Sequence, residues 1–352
     1  MFIKRLYRKI RAKIQSGSKV EHNSISRSEH GLSRKAISEN ALKVLYRLKK
    51  NGYAAYLVGG GVRDLLLHMP SKDFDIATDA TPEDIRSLFK NSRIIGRRFR
   101  LVHILFKGEI IEVSTFRAEQ QYAQGDDVAS ENIYGTLEED AWRRDFTINS
   151  LYYNINDFSI VDYTNGWSDI QKRNLSFIGD AVERVHEDPV RLLRALRFMA
   201  KLNLNLDPDL EMVLRKHGDL LCDVTQARIL HEFEKIFCTG YALPTFNKLK
   251  EYGYLQHFFM PDCISILMDD NSWGARLAAD MLVDCDKRYS SAKSLNLGFI
   301  FAVILWPVLQ DYMSQAKVGK GVFHKVLHTS IYRVLHGQQS TMNIPKRCTS
   351  MM

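Results

Sequence analysis

The sequence predicts an α+β protein in which a small α/β unit, a mixed sheet with helices, precedes an all-helical remainder. Apolar runs of four to six residues occupy the first half, and they are bounded by turn or charged residues and too short for helices. From about Val182 onward, apolar residues recur at helical spacing. The 352 residues allow two or three domains, and a hydrophobic content of 45% allows packed cores.

The elements are expected in this order. A helix covers about residues 37–50 and ends at Gly52. Four strands follow, over Ala54–Val58, Phe74–Ala77, Leu101–Phe106 and Ile110–Thr115. Between them Thr81 is the N-cap and Pro82 the first residue of another helix. Helices are then expected near 189–202, 208–217, 226–238, 242–252, 273–285 and 320–336, and Leu295–Leu309 reads as a buried helix.

The charge of the chain indicates a polyanionic partner. The net charge is +8, and residues 1–20 carry seven basic residues, no acid and apolar residues at helical spacing. Such an arm fits an RNA contact, a weak membrane-surface contact, an organelle transit peptide or a plain solvated N-terminus. The stretch from the arm to Ser33 is expected to be a linker.

The five cysteines are scattered and form no C-x-x-C pair, which argues against a disulfide framework and a zinc site. This use of cysteine fits a reducing compartment, and a cytoplasmic location is expected. No apolar run approaches the roughly 20 residues of a membrane span, so no transmembrane segment is expected.

A glycine-rich turn follows the first predicted strand. Gly59, Gly60 and Gly61 allow a phosphate to approach the backbone, and Arg63 could add a charge-assisted bond. Because the spacing matches neither a Walker loop nor a dinucleotide fingerprint, a simple tight turn is an equal alternative.

Three carboxylates stand in or beside the predicted strands. Residues two apart on a strand share a face, so Asp73 and Asp75 should form a pair suited to one or two Mg²⁺ ions. Glu112 lies among apolar residues of a later strand and would join them if that strand were adjacent. Solvent-facing acids at strand ends are the alternative.

Two further motifs combine arginine with aspartate. Arg143, Arg144 and Asp145 could bind triphosphate and ribose, or could form a structural ion-pair network. Asp188 and Arg191, three residues apart on a helix, offer an acceptor beside a donor fork. That edge complements adenine and cytosine but not uracil; an ordinary surface ion pair is the alternative.

With these motifs in order, residues 30–260 resemble the class II nucleotidyltransferases, the family of bacterial poly(A) polymerases and CCA-adding enzymes. The segment Ile94–His103 looks like the polymerase branch of that family. The resemblance implies an arm and linker (1–35), a catalytic nucleotidyltransferase head (36–180), a helical neck that selects the nucleotide (181–260) and an RNA-binding body (261–352). The body looks C-terminally shortened relative to the family pattern, which leads us to expect weaker retention of RNA.

The resemblance also implies residue roles. Asp73 and Asp75 would bind two Mg²⁺ ions, with Glu112 and Asp145 completing the catalytic set. The implied nucleotide-binding residues are Gly59, Gly60, Arg63, Arg144, Asn149, Asp188, Arg191, Arg194 and Arg197.

The function expected from the resemblance is addition of AMP from ATP to RNA 3′ ends without a template. Two alternatives stay open at this stage. One is addition of CCA or A to tRNA. The other is a truncated, weakly active RNA-binding protein.

Overall fold

The computed structural model describes residues 22–71, 73–96, 100–118, 134–316 and 323–350. The chain divides into two compact units, Met1–Arg184 and Val185–Met352. We call the first the head and the second the helical unit. The division falls close to the predicted boundary between 180 and 181, while a further boundary at 260/261 stays a prediction.

The head is built on an eight-stranded mixed sheet with the order β1-β8-β7-β2-β3-β6-β5-β4. Strands β3 and β6 are parallel, and the other neighbouring pairs are antiparallel. The strands are β1 (Asn23–Ile25), β2 (Ala55–Val58), β3 (Asp75–Thr78), β4 (Ser92–Ile95), β5 (Leu101–Phe106), β6 (Glu109–Thr115), β7 (Leu151–Asn154) and β8 (Ile160–Asp162). The predicted mixed sheet with helices is confirmed, and all four predicted strands belong to it.

Helices complete the head. The helix Glu39–Lys50 begins at the N-cap Ser38, packs against β2, β3 and β6, and buries Val44, Leu45 and Leu48. Thr81 caps the next helix, as its sequence predicted, and the structure adds a reciprocal capping box with Asp84. The helices of the head are Arg27–His30, Glu39–Lys50, Gly60–Leu66, Pro82–Leu88, Leu137–Trp142, Gly166–Lys172 and, at the division, Ala181–Glu187.

The interpretation of residues 22–33 as a linker is wrong. Strand β1 pairs with β8 at the edge of the sheet, and Ile25 is buried there. His30 is buried as well: its Nδ1 accepts a hydrogen bond from the Leu32 N–H, and its Nε2 lies 2.9 Å from the Phe158 carbonyl oxygen. This segment is therefore part of the head. The basic arm over residues 1–20 lies outside the described residues.

The helical unit is confirmed as all-α apart from one two-residue strand, Asn205–Leu206, among its described residues. Its core is aromatic, with Phe233 stacked on Phe301 at 4.7 Å between ring centroids and Phe237, Phe258 and Phe259 around them. Its helices are Val190–Leu202, Pro208–Lys216, Gln226–Phe237, Ala242–Glu251, Pro261–Met268, Trp273–Ser290, Leu297–Gln315, Phe323–Thr341 and Lys346–Thr349.

One helix of the described residues, Leu297–Gln315, is long and apolar enough to cross a membrane by length and composition. An 18-residue stretch of it has a mean hydropathy of 1.4, and 44% of that stretch is buried inside the protein. The helix packs against Pro261–Met268, Trp273–Ser290 and Phe323–Thr341. The helix predicted for this region is thus present and packs on three others, but it is only partly buried: Phe299 is 58% exposed and Trp306 47%.

Candidate active site

The parallel pairing of β3 with β6 sets two carboxylates side by side. Asp75 is the first residue of β3 and lies directly across from Glu112 of β6 in the register of the sheet. Residues opposite each other on neighbouring strands share a face and have Cβ atoms about 5 Å apart. The condition under which Glu112 would join Asp75, an adjacent strand, is therefore met.

Asp73 lies near this pair but not on the strand. The ladder between β2 and β3 begins at Val58 and Asp75, because β2 ends at Val58 and the chain then turns. Asp73 therefore lies in the preceding loop, where it is exposed and its carbonyl accepts a hydrogen bond from the Ser71 hydroxyl. The argument from strand alternation was wrong for Asp73, although its charge still acts on Asp75.

Burial and the neighbouring acid make ionisation of Asp75 costly. Desolvation and the Glu112 carboxylate raise the pKa of Asp75 to about 6, with a further contribution from Asp73, while Arg144 opposes the shift. Within the described ranges, no three His, Cys, Asp or Glu side chains gather into a metal-binding group. The donor set itself fits Mg²⁺, since hard carboxylate oxygens on adjacent strands are the ligands that this ion accepts.

The predicted glycine turn lies against the carboxylates. Gly59 has φ 72° and ψ −137°, a conformation that residues with a side chain rarely adopt. A Cβ on Gly59 would lie 3.6 Å from Arg144 Nη1 and 3.8 Å from Asp75 Oδ2. A Cβ on Gly61 would lie 3.0 Å from the Asp73 carbonyl oxygen. The turn thus leaves its backbone open between a guanidinium and a carboxylate.

A buried carboxylate holds Arg144 in that position. Asp140 is 0% exposed, and its Oδ2 accepts hydrogen bonds from Arg144 Nη2 at 3.0 Å and from the Tyr152 hydroxyl at 2.7 Å. Arg144 Nε donates to the same Tyr152 oxygen at 2.9 Å. Asp140 Oδ1 accepts from Arg143 Nε at 2.8 Å. Burial raises the pKa of Asp140, but Arg144, Arg143 and the tyrosine hydrogen bond outweigh it and hold that pKa below its usual value.

A second network lies beneath the glycine turn. Arg63 is buried, and its Nε and Nη2 donate to Asp64 Oδ1 at 2.8 and 2.6 Å. Its Nη1 donates to Asn149 Oδ1 at 2.7 Å, and Asn149 Nδ2 donates to Asp145 Oδ1 at 3.1 Å. A Cβ on Gly60 would lie 3.4 Å from Arg63 Nη2. The structure thus links Arg63, Asn149 and Asp145, three predicted site residues, into one chain of hydrogen bonds.

The predicted residues of the helical unit lie around the start of one helix. Asp188 precedes the helix Val190–Leu202 and accepts hydrogen bonds from the Val190 N–H at 3.1 Å and from Arg228 Nη2 at 2.8 Å. Arg191 Nη1 donates to Glu187 Oε2 at 2.8 Å. Asp188 and Arg191 are therefore each engaged with another neighbour.

Two more arginines follow on that helix. The guanidinium carbons of Arg194 and Arg197 lie 5.6 and 4.7 Å from the Phe198 ring centroid. Arg197 is buried, and its Nε lies 3.5 Å from the buried carboxylate of Glu232. Arg197 thus forms an ion pair with Glu232.

The sequence interpretation missed three residues that hold the head site together. Asp140, Tyr152 and Arg184 are buried, and Arg184 donates hydrogen bonds to the backbone carbonyls of Arg143 and Arg144. One signal was available: Asp140 stands three and four residues before the arginines, the spacing of helical ion pairs. Tyr152 and Arg184 carried no such local signal.

Comparison with known proteins agrees with this architecture. Residues 55–176 match the family model described as the poly A polymerase head domain, and residues 203–266 match the probable RNA and SrmB-binding site of polymerase A. Poly(A) polymerase I of Salmonella typhi is 42% identical over 338 residues, which cover 93% of this chain and 73% of that protein. The CCA-adding enzyme of Bacillus licheniformis is 40% identical over 196 residues, 56% of this chain and 49% of that enzyme.

A solved structure shares the fold. The Bacillus stearothermophilus CCA-adding enzyme in complex with CTP aligns with a TM-score of 0.58 and 28% identity, over 84% of this chain and 75% of that one. Head, carboxylates and glycine turn therefore define a nucleotidyltransferase. More narrowly, the chain belongs to the bacterial poly(A) polymerase family, so the predicted resemblance is confirmed.

Asp140→Asn tests the buried carboxylate. At pH 7 we expect this substitution to lower the free energy of unfolding by about 3 kcal/mol, because two guanidinium groups lose their buried counter-charge. The folded pKa of Asp140 lies below its unfolded value, so its contribution is complete above about pH 4 and is lost as the pH falls through the folded pKa. In urea unfolding, the difference in free energy of unfolding between wild type and variant should become smaller below about pH 4.

Asp79→Asn is the matched control, because Asp79 is exposed and an asparagine keeps the oxygen that accepts from the Ala54 N–H. If the difference in free energy of unfolding between the wild type and Asp140→Asn stays constant from pH 7 to pH 3, the carboxylate charge does not stabilise the head.

Proposed function

We propose that this protein adds AMP from ATP to RNA 3′ ends without a template, releases pyrophosphate and uses two Mg²⁺ ions. One observation carries the proposal: Asp75 and Glu112 are forced together on adjacent parallel strands, beside a glycine turn and a guanidinium. The names of the similar polymerases favour ATP and RNA as substrates.

The reaction joins the RNA 3′-oxygen to the α-phosphorus of ATP and breaks the bond from that phosphorus to the β-phosphate oxygen. The 3′-hydroxyl proton leaves to solvent or base, and pyrophosphate is the leaving group. Asp75 and Glu112, with Asp73 from the loop, would hold the two Mg²⁺ ions. When bound, the ions supply charge neutralisation at the attacking and leaving oxygens.

The chain's own residues position the triphosphate. Gly59 and Gly60 leave room for phosphate oxygens at the turn, and Arg144 places a cation against it. Asp140 and Tyr152 fix that guanidinium before the nucleotide arrives, so little reorganisation is needed on binding. Arg63 supports the turn and is itself held by hydrogen bonds to Asp64 and Asn149. Asn149 in turn donates a hydrogen bond to Asp145.

Selection of the base is assigned to Asp188 and Arg191 of the helical unit, with Arg194 and Arg197 on the same helix. Asp188 is paired with Arg228 and Arg191 with Glu187, so reading a base edge requires these pairs to rearrange or to share their hydrogen bonds. Addition of CCA or A to tRNA is the second candidate, because CCA-adding enzymes are also similar in sequence and fold. A cytoplasmic location and the role of the basic arm stay predictions.

Asp75→Asn and Glu112→Gln test the carboxylate pair. We expect each substitution to lower AMP incorporation into oligoadenylate more than about 100-fold, because loss of a metal ligand removes several kcal/mol of transition-state stabilisation. Glu109→Gln is the matched control. Glu109 lies on β6, the strand of Glu112, and a glutamine there can still accept the hydrogen bond from Asn40 Nδ2. It should retain near-wild-type activity.

Folding is checked by circular dichroism and urea unfolding, and only variants that unfold like the wild type are compared. A folded Asp75→Asn protein with more than a tenth of wild-type activity would rule out the assignment. The same assay, run with ATP and CTP on oligoadenylate and on tRNA lacking its CCA end, separates the candidates. Efficient CTP addition to that tRNA would favour the CCA-adding alternative.

The double substitution Asp188→Asn with Arg191→Gln tests base selection. We expect the wild type to prefer ATP over CTP, and both over UTP and GTP. The double variant should lose more of that preference than of its rate with ATP, because the donor and acceptor pattern of the base edge is altered. Competition between labelled nucleotides gives the ratio of kcat/KM directly.

Arg228→Gln is the control for the structural role of Asp188, because it removes the ion-pair partner and leaves both tested residues in place. Selectivity that is unchanged in the double variant, or lost equally in Arg228→Gln, would mean that Asp188 and Arg191 only support the helix.

A further inference from the structure

We propose that Arg93 on β4, with His103 on β5, forms the subsite for the 3′-terminal phosphodiester of the RNA that is extended. The inference rests on the proposed function. It places the two substrates on opposite sides of the carboxylates along the sheet, with the triphosphate on one side and the RNA on the other.

The register of the sheet places these residues in one row. Each member lies directly across from the next on the neighbouring strand, and cross-strand partners share a face. From β4 to β7 the row reads Arg93, His103, Glu112, Asp75, Val58 and Tyr152. The face that carries Asp75 and Glu112 therefore continues without a break to Arg93.

The chemistry of the transfer gives this row a direction. Attacking and leaving oxygens lie roughly in line on opposite sides of the phosphorus. The leaving pyrophosphate belongs on the side of β2 and β7, where Gly59 follows Val58 and Arg144 is held by Tyr152. The attacking 3′-oxygen must then come from the other side of Asp75, the side of β6, β5 and β4.

The distances along the row suit a nucleotide. A single ribose separates the attacking 3′-oxygen from the phosphate of the same nucleotide. Two strand spacings, roughly 10 Å, separate the backbone at Glu112 from that at Arg93, and the long arginine side chain can span much of that gap. His103 Nε2 lies 3.3 Å from Glu112 Oε2, so the histidine faces the carboxylates and Arg93 is the outer cation.

Arg93 is available for such a contact. It is exposed, and within the described residues its side chain makes no hydrogen bond or ion pair. Arg144 and Arg63, the cations on the other side of the carboxylates, are instead held by acidic partners. Ile95, two residues along the same strand and so on the same face, is 42% exposed and offers an apolar surface to a ribose or base. A solvated arginine without a role is the alternative that the experiment must exclude.

The experiment compares Arg93→Ala with Lys107→Ala. Lys107 is exposed in the turn between β5 and β6, outside the row that carries Arg93, and its loss changes the net charge equally. Fluorescence anisotropy without ATP gives the Kd of each protein for a short oligoadenylate, between roughly 50 and 200 mM salt. A second oligoadenylate carries one neutral methylphosphonate at its 3′-terminal phosphodiester.

For the charged RNA we expect Arg93→Ala to raise Kd about threefold to tenfold and to reduce the salt slope by about 0.7, the value for one phosphate contact on a single strand. The neutral linkage should raise the Kd of the wild type and of Lys107→Ala. It should leave the Kd of Arg93→Ala almost unchanged, because that protein has already lost the contact. Such non-additivity locates the contact at that one phosphate. In the transfer assay KM for RNA should rise while KM for ATP stays unchanged.

The subsite is overturned if Arg93→Ala binds the charged RNA like the wild type, or if the neutral linkage costs Arg93→Ala as much as it costs the wild type. Either result leaves the proposed function intact as long as the wild type incorporates AMP. A wild type that shows the Arg93-dependent loss but incorporates no nucleotide would support the RNA subsite and reject the proposed function.

Discussion

Repulsion between Asp75 and Glu112 is the constraint around which the head is arranged. The parallel pairing of β3 with β6 places Asp75 directly across from Glu112, so the two side chains leave the same face of the sheet. Burial adds to the cost, because water cannot fully screen the two charges. A pair held in this way has no evident structural benefit, whereas cations of high charge would remove the repulsion.

The cations around this pair differ in how they are held. On the β2 and β7 side, Asp140 and Tyr152 fix Arg144, and Asp64 and Asn149 fix Arg63. Fixed dipoles and charges stabilise a transition state best when they need not reorganise during the reaction. Cations held in this way suit the negative charge that develops on the departing pyrophosphate. On the β4 side, Arg93 is exposed. An adjustable cation suits a polymer end that must shift by one nucleotide after every addition.

The sequence was sufficient wherever a residue's role depended on its near neighbours. The N-cap at Thr81, the glycine turn and most helices of the helical unit follow from spacing over a few residues. The sequence was insufficient where the conformation of a segment depends on a strand that is distant in the chain. β1 forms because the edge of β8 is free to pair with it, and Asp73 leaves the strand because β2 ends at Val58. Tyr152 reaches Arg144 only because β7 lies beside β2, a long-range pairing that no local pattern encodes.

The central claim is that Asp75 and Glu112 form a divalent-metal site, and metal binding tests it without recourse to activity. Mn²⁺ can replace Mg²⁺ on oxygen ligands, and electron paramagnetic resonance counts the ions bound to the protein in the absence of nucleotide. We predict that Asp75→Asn and Glu112→Gln each lose Mn²⁺ that the wild type and Glu109→Gln retain. Equal Mn²⁺ binding by all four proteins would contradict the account.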